Sequence, residues 1–90
     1  MAVYIDEILP CARSRKWPYD KACHLVADSV GELHDFAEWL GLHRSWFQKE
    51  SVPHYDLTSR MRHKAIGLGA IPVGRKEFAK IVRKSRKTGG

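Results

Sequence analysis

Two short runs hold most of the residues that could do chemistry. The first is CHLVADS, with His24 and Asp28; the second is HYDLTS, with His54 and Asp56. An imidazole beside a carboxylate can give and take a proton near neutral pH. Each run ends at a predicted helix start, at Ser29 and at Thr58. Helix N-termini present free amides and the positive end of a dipole, so they favour anions. In open α/β sheets, ligands collect beyond the carboxyl ends of strands. This pattern predicts a phosphate pocket built from His24, His54, Tyr55 and Arg60, with the amides near Ser29 or Thr58. Arg44 is a further contact, and Trp46 or Trp17 offers a stacking surface. His24 and His54, backed by Asp28 and Asp56, are the candidate acid and base. The structural alternative reads Asp28 as part of a helix start, Asp56 as a cap, and each histidine as hydrogen-bonded core.

Other chemistries leave weaker marks. The chain has 5 histidines and 2 cysteines, yet no HExxH, no closely spaced zinc pair and no calcium loop. The expectation is therefore no metal and no cofactor. There is no GxSxG; Cys23 and His24 fall on opposite strand faces, which disfavours a thiol nucleophile. His34 and Glu38, at four-residue spacing, read as a solvated pair on a helix. Trp39, Trp46 and Phe47 read as core.

The formal charge of +6 favours acidic partners such as nucleotides or nucleic acid. The charge is concentrated late. Arg75, Lys76, Lys80, Arg83 and Lys84 follow one another on a predicted helix and form a candidate phosphate-contact surface. A merely solvated basic face is the alternative. Cys11 and Cys23 fit no CxxC spacing and read as reduced thiols, pointing to the cytoplasm. No apolar run is long enough to span a membrane, and MAVYIDEIL lacks the basic start of a secretion signal. Nothing in the sequence specifies an oligomeric state.

The elements that must position these residues follow from spacing. Ala2 to Ile5 reads as a strand with Val3 and Ile5 on one face and Tyr4 and Asp6 on the other. Leu9-Pro10 ends it, and Cys11 to Lys21 reads as a long loop carrying Trp17, which either anchors the loop or stacks on a base. Cys23, Leu25 and Ala27 alternate with His24, Val26 and Asp28 along a central strand. Ser29 and Glu32 have the spacing of a capping box; Val30, Leu33, Phe36, Ala37 and Leu40 then recur at helical period, and Gly41 supplies the stop. Leu42 to Gln48 reads as a short strand or crossover, Lys49 to Pro53 as a polar turn, and His54 to Leu57 as a strand. Thr58 caps a helix over 59–68, closed by Gly69, with Arg60, Arg62, His63 and Lys64 facing solvent. Ile71 to Val73 suits a sheet edge because Pro72 has no amide to donate. A last helix over 75–85 carries Phe78, Ile81 and Val82 as a narrow stripe, and 87–90 should fray.

Ninety residues make one domain with a modest core, and this order predicts an α+β or small α/β fold, a few-stranded sheet covered by about three helices. The pieces CHLVAD, ELHDFA, RSWFQ, HYDLT and GAIPV, in that order, resemble the domain of unknown function 4031 family, over nearly the whole chain. The resemblance implies a bacterial or phage origin. It also implies that Trp17, His24, Asp28, His34, Trp46, Phe47, His54, Tyr55, Asp56 and Arg60 occupy characteristic positions. It carries no activity. The expectation is thus a cytoplasmic binding domain for a phosphate-bearing ligand, with a His24/His54 phosphoesterase or nuclease-like hydrolase, or a protein-interaction module using the basic helix and RSWFQ, as alternatives.

Overall fold

The computed structural model describes residues 2–49 and 52–87. Its central element is β3 (Lys21–Ala27), flanked by β1 (Val3–Ile5) and β5 (His54–Leu57), both antiparallel to it. Together with β2 (Leu9–Pro10), β4 (Phe47–Gln48) and β6 (Ile71–Pro72) they form one six-stranded sheet, ordered β4-β5-β3-β1-β6, with β2 pairing β3 beside this path. The sheet is mixed because β6 joins β1 in parallel, at the edge where Pro72 costs no ladder bond. The fold is α+β, with helices α1 (Val30–Leu40), α2 (Ser59–Gly67) and α3 (Arg75–Lys87). The frayed tail predicted at 87–90 lies, past Lys87, outside the described residues, as do Glu50 and Ser51 of the predicted polar turn.

One sheet face is apolar, and α1 and α2 cover it. Ile5, Cys23, Leu25, Tyr55 and Leu57 project there and meet Leu33, Ala37 and Leu40 of α1 and Ala65 of α2 in one cluster. Each fully buried Leu contributes about 1.5–3 kcal/mol through lost apolar contact with water, so this cluster is what holds the helices down.

The helix ends follow local chemistry. Ser29 Oγ accepts the Glu32 amide at 3.2 Å and donates to Glu32 Oε1 at 3.3 Å. In a full capping box that carboxylate would reach the Ser29 amide; here it meets the Ser29 hydroxyl. Gly41 sits at φ 94°, the left-handed region, and its amide donates to the Ala37 and Glu38 carbonyls. Lys64 of α2 donates to the Leu40 carbonyl at 3.1 Å, a cation at the negative end of α1, so it is not the purely solvated residue expected. Thr58 Oγ1 accepts the Met61 amide at 3.2 Å and starts α2.

Three further expectations are corrected. Trp39 and Trp46 are 64% and 49% exposed rather than core, because α1 turns Trp39 away from the sheet and Trp46 sits in a one-turn 3₁₀ segment over Arg44–Trp46. His34 is not solvated beside Glu38; its Nδ1 meets the Tyr55 hydroxyl at 2.8 Å beneath α1. Arg62 is not free in solvent, since its Nε donates to the Asp6 carbonyl at 2.8 Å. No helix among the described residues is long and apolar enough to cross a membrane.

Candidate functional site

The other face of the sheet carries the chemistry. Cross-strand register puts His24 opposite Asp56, and Gln48 opposite His54. Period-two alternation sends all four side chains to the same side. Ile5 pairs with Leu25, so Asp6, the next residue after β1, arrives beside His24. Four neighbouring segments thus deliver polar groups to one place.

Asp6 grips His24 twice: its Oδ1 accepts the His24 backbone amide at 2.6 Å, and its Oδ2 accepts from His24 Nδ1 at 2.8 Å. His54 Nδ1 donates to the Val52 carbonyl at 2.7 Å. A carboxylate and a carbonyl can only accept, so both Nδ1 atoms carry hydrogen. Both Nε2 atoms then face Asp56 Oδ1, at 3.8 Å from His24 and 3.5 Å from His54. The second oxygen of Asp56 is held by the Gln48 side-chain amide. The two rings lie edge to face with centroids 5.3 Å apart. The side chains of His24, His54 and Asp56 are 44%, 19% and 22% exposed, so the group is reachable from water.

The electrostatics agree with this packing. The Asp56 side chain, more than burial opposes it, lifts His54 above its ordinary value, helped by the Val52 carbonyl. In return the His54 hydrogen bond holds the Asp56 carboxyl below its usual range against desolvation. On the opposite face, burial pushes the Cys23 thiol up to about 12, with Asp6 adding to it, so this thiol is no nucleophile. His24, His54 and Asp56 offer one donor atom each within 4.8 Å of one another, the spacing of a group that could hold a metal ion.

Helix α3 borders the same region. Phe78 lies 6.0 Å, centroid to centroid, from the His24 ring. A hollow of about 270 Å³ is lined by Asp6, Glu7, Leu9, Arg75 and Phe78. Lys76, Lys80, Arg83 and Lys84 stand exposed further along α3.

The predicted site residues divide. His24, His54 and Asp56 come together. Asp28 does not join them: it accepts the Ala2 amide at 2.9 Å and acts on the Tyr4 hydroxyl, securing the start of β1. Burial first, then the Asp28 charge, raises that hydroxyl above its ordinary value. Tyr55 is 1% exposed on the α1 side, so it cannot line a pocket with its strand neighbour His54. Arg60 is exposed in the first turn of α2, the helix packed on the apolar face, and is not among the lining of the hollow. Arg44 belongs to the same far side, where its charge lowers His34 and acts on Tyr55. Trp46 packs its ring on His43 at 4.9 Å. Trp17 anchors its own loop, donating Nε1 to the Lys21 carbonyl at 3.1 Å and meeting Tyr19 edge-on.

The helix starts are not shared either. Because β3 and β5 are antiparallel, their carboxyl ends, and with them Ser29 and Thr58, lie at opposite ends of the pairing. The histidines meet through strand register instead. Asp6 and Gln48 are the residues that sequence reasoning missed. Asp6 did fall on the polar side of its strand; Gln48 carried no signal.

No curated protein and no solved structure matches the chain. A family description does: residues 3–85 match the protein of unknown function family DUF4031, and the chain belongs to it.

Proposed function

We propose that this domain binds a phosphate-bearing ligand, a nucleotide or a nucleic-acid phosphate, on the sheet face that holds His24 and His54. The observation that carries the reading is that Arg75, at the start of basic α3, shares a hollow with Asp6, the residue that orients His24. An anion there meets the Arg75 guanidinium, set against the carboxylates of Asp6 and Glu7, with the charge of Lys76, Lys80, Arg83 and Lys84 beyond it. Cations on α3 take the part that helix N-termini were expected to play. The free thiols of Cys11 and Cys23 fit work in a reducing cytoplasm.

Calorimetric titration with a nucleotide panel and short oligonucleotides tests this. The expected result is saturable binding that weakens as salt rises and drops in Arg75→Ala. Heatless titrations in both panels at low salt contradict it.

Hydrolysis is the second reading, favoured by two imidazoles in unlike settings: His24 is bound to Asp6, and His54 is raised by Asp56. Turnover of cyclic or linear nucleotides, abolished in both His24→Ala and His54→Ala, supports it. An inert protein, with and without divalent metal, removes it.

A further inference from the structure

The geometry points to a divalent-metal centre at His24, His54 and Asp56, taking a first-row ion such as Zn²⁺. It deepens the phosphate reading, on which its use as a ligand receptor rests. His24, His54 and Asp56 each bring one donor atom within 4.8 Å of the other two, and both imidazole Nε2 atoms face Asp56 Oδ1. Two imidazoles and one carboxylate suit zinc, iron, cobalt or manganese.

Each donor is aimed by a further group. Asp6 Oδ2 holds His24 Nδ1, the Val52 carbonyl holds His54 Nδ1, and the Gln48 amide holds the outer oxygen of Asp56. Such supports fix the tautomer, turn each lone pair inward and raise ligand basicity. A histidine pair built only to share protons with Asp56 would close to hydrogen-bond distance. Here the Nε2–Oδ1 separations are 3.5 Å for His54, at the outer limit of a hydrogen bond, and 3.8 Å for His24, beyond it. They lie close to the roughly 3.3 Å between ligands of a tetrahedral ion with bonds of about 2.0–2.1 Å. The 44% exposed side chain of His24 leaves an open side, where water or a phosphate oxygen could complete the set.

Charge leads to the same place. Asp6 and Asp56 both face this site, and bare carboxylates repel a phosphate. A bound dication reverses that local sign.

The test begins with metal-stripped protein titrated calorimetrically with Zn²⁺. One equivalent is expected. Asp6→Asn should weaken it by about 10–100-fold, as for other residues that orient ligands, and His54→Gln and Asp56→Asn by more. His63→Gln, an exposed histidine outside the cluster, should change nothing. Co²⁺ should give visible absorption that His24→Gln removes. Absence of stoichiometric Zn²⁺ binding, or binding unchanged in both His54→Gln and Asp56→Asn, overturns the centre. Inorganic phosphate added to stripped and Zn²⁺-loaded protein separates the two readings. Phosphate binding that needs Zn²⁺ supports both. Zn²⁺ uptake with no phosphate binding in any form keeps the centre and removes the phosphate reading. Phosphate binding by a protein that takes no Zn²⁺ does the reverse.

Discussion

Neighbouring residues of β3 serve opposite ends. Cys23 and Leu25 are fully buried beneath α1 and α2, whereas His24 between them leaves 44% of its side chain in water. The same division runs along β5, where Tyr55 and Leu57 are sealed while His54 and Asp56 face the other way. The apolar face carries the stability, and that leaves the polar face able to hold charged groups whose positions come from strand register rather than from their own packing. The fold therefore supplies a rigid platform for a site that it needs little for its own cohesion.

The sharpest way to break this comparison is to truncate adjacent positions. Leu25→Ala should cost about 2–5 kcal/mol of unfolding free energy through lost burial and a cavity. His24→Ala should cost less, about 1.5–3 kcal/mol, the worth of a charge-assisted bond to Asp6. Urea unfolding of both variants reads the difference, and equal losses would erase the distinction between faces.

Tyr55→Phe comes next. It keeps the ring in the core and removes the hydroxyl that meets His34 at 2.8 Å. A loss of about 1 kcal/mol is expected, with Zn²⁺ and phosphate titrations unchanged because the group lies across the sheet. Thr58→Ala should also cost about 1 kcal/mol by freeing the Met61 amide at the start of α2. It, too, should leave ligand titrations alone, since Thr58 lies outside the donor cluster.

How much of this was legible in the sequence depends on range. Ser29, Glu32 and Gly41 mark α1 through contacts within a turn, and they could be read directly. Tyr55 was misassigned to the pocket, although strand alternation sets it on the face opposite His54. The pairing of His24 with Asp6 was not, because it needs the register of β1 against β3, and neither strand encodes its neighbour. Asp28 looked like a partner for His24 by spacing alone; the structure gives it to Ala2 and Tyr4. His24, His54 and Asp56 could be grouped from their two runs, but the register that turns them toward one another could not, being set only when the two strands pair. Trp39 reads as core by residue type, yet the helical phase that buries Leu33, Ala37 and Leu40 turns it outward.

The smallest predicted effect concerns pH on the apolar face. Burial, and then the Arg44 charge, hold His34 below its ordinary value of 6.5, with Asp35 opposing. The unfolded chain therefore takes up the proton first as pH falls. The stability that neutral His34 confers is complete above 6.5 and drains away as pH drops through 6.5 toward the folded value. His34→Gln should flatten this decline in urea midpoints measured against pH.

Nitrogen-15 NMR of the imidazoles tests the central claim most directly, because each tautomer has its own pattern of ring couplings. In metal-free protein at a pH where both rings are neutral, His24 and His54 should both carry hydrogen on Nδ1 and leave Nε2 bare toward Asp56. Hydrogen on Nε2 in either ring, or tautomers averaging as in a free imidazole, would contradict a site held open by Asp6 and the Val52 carbonyl.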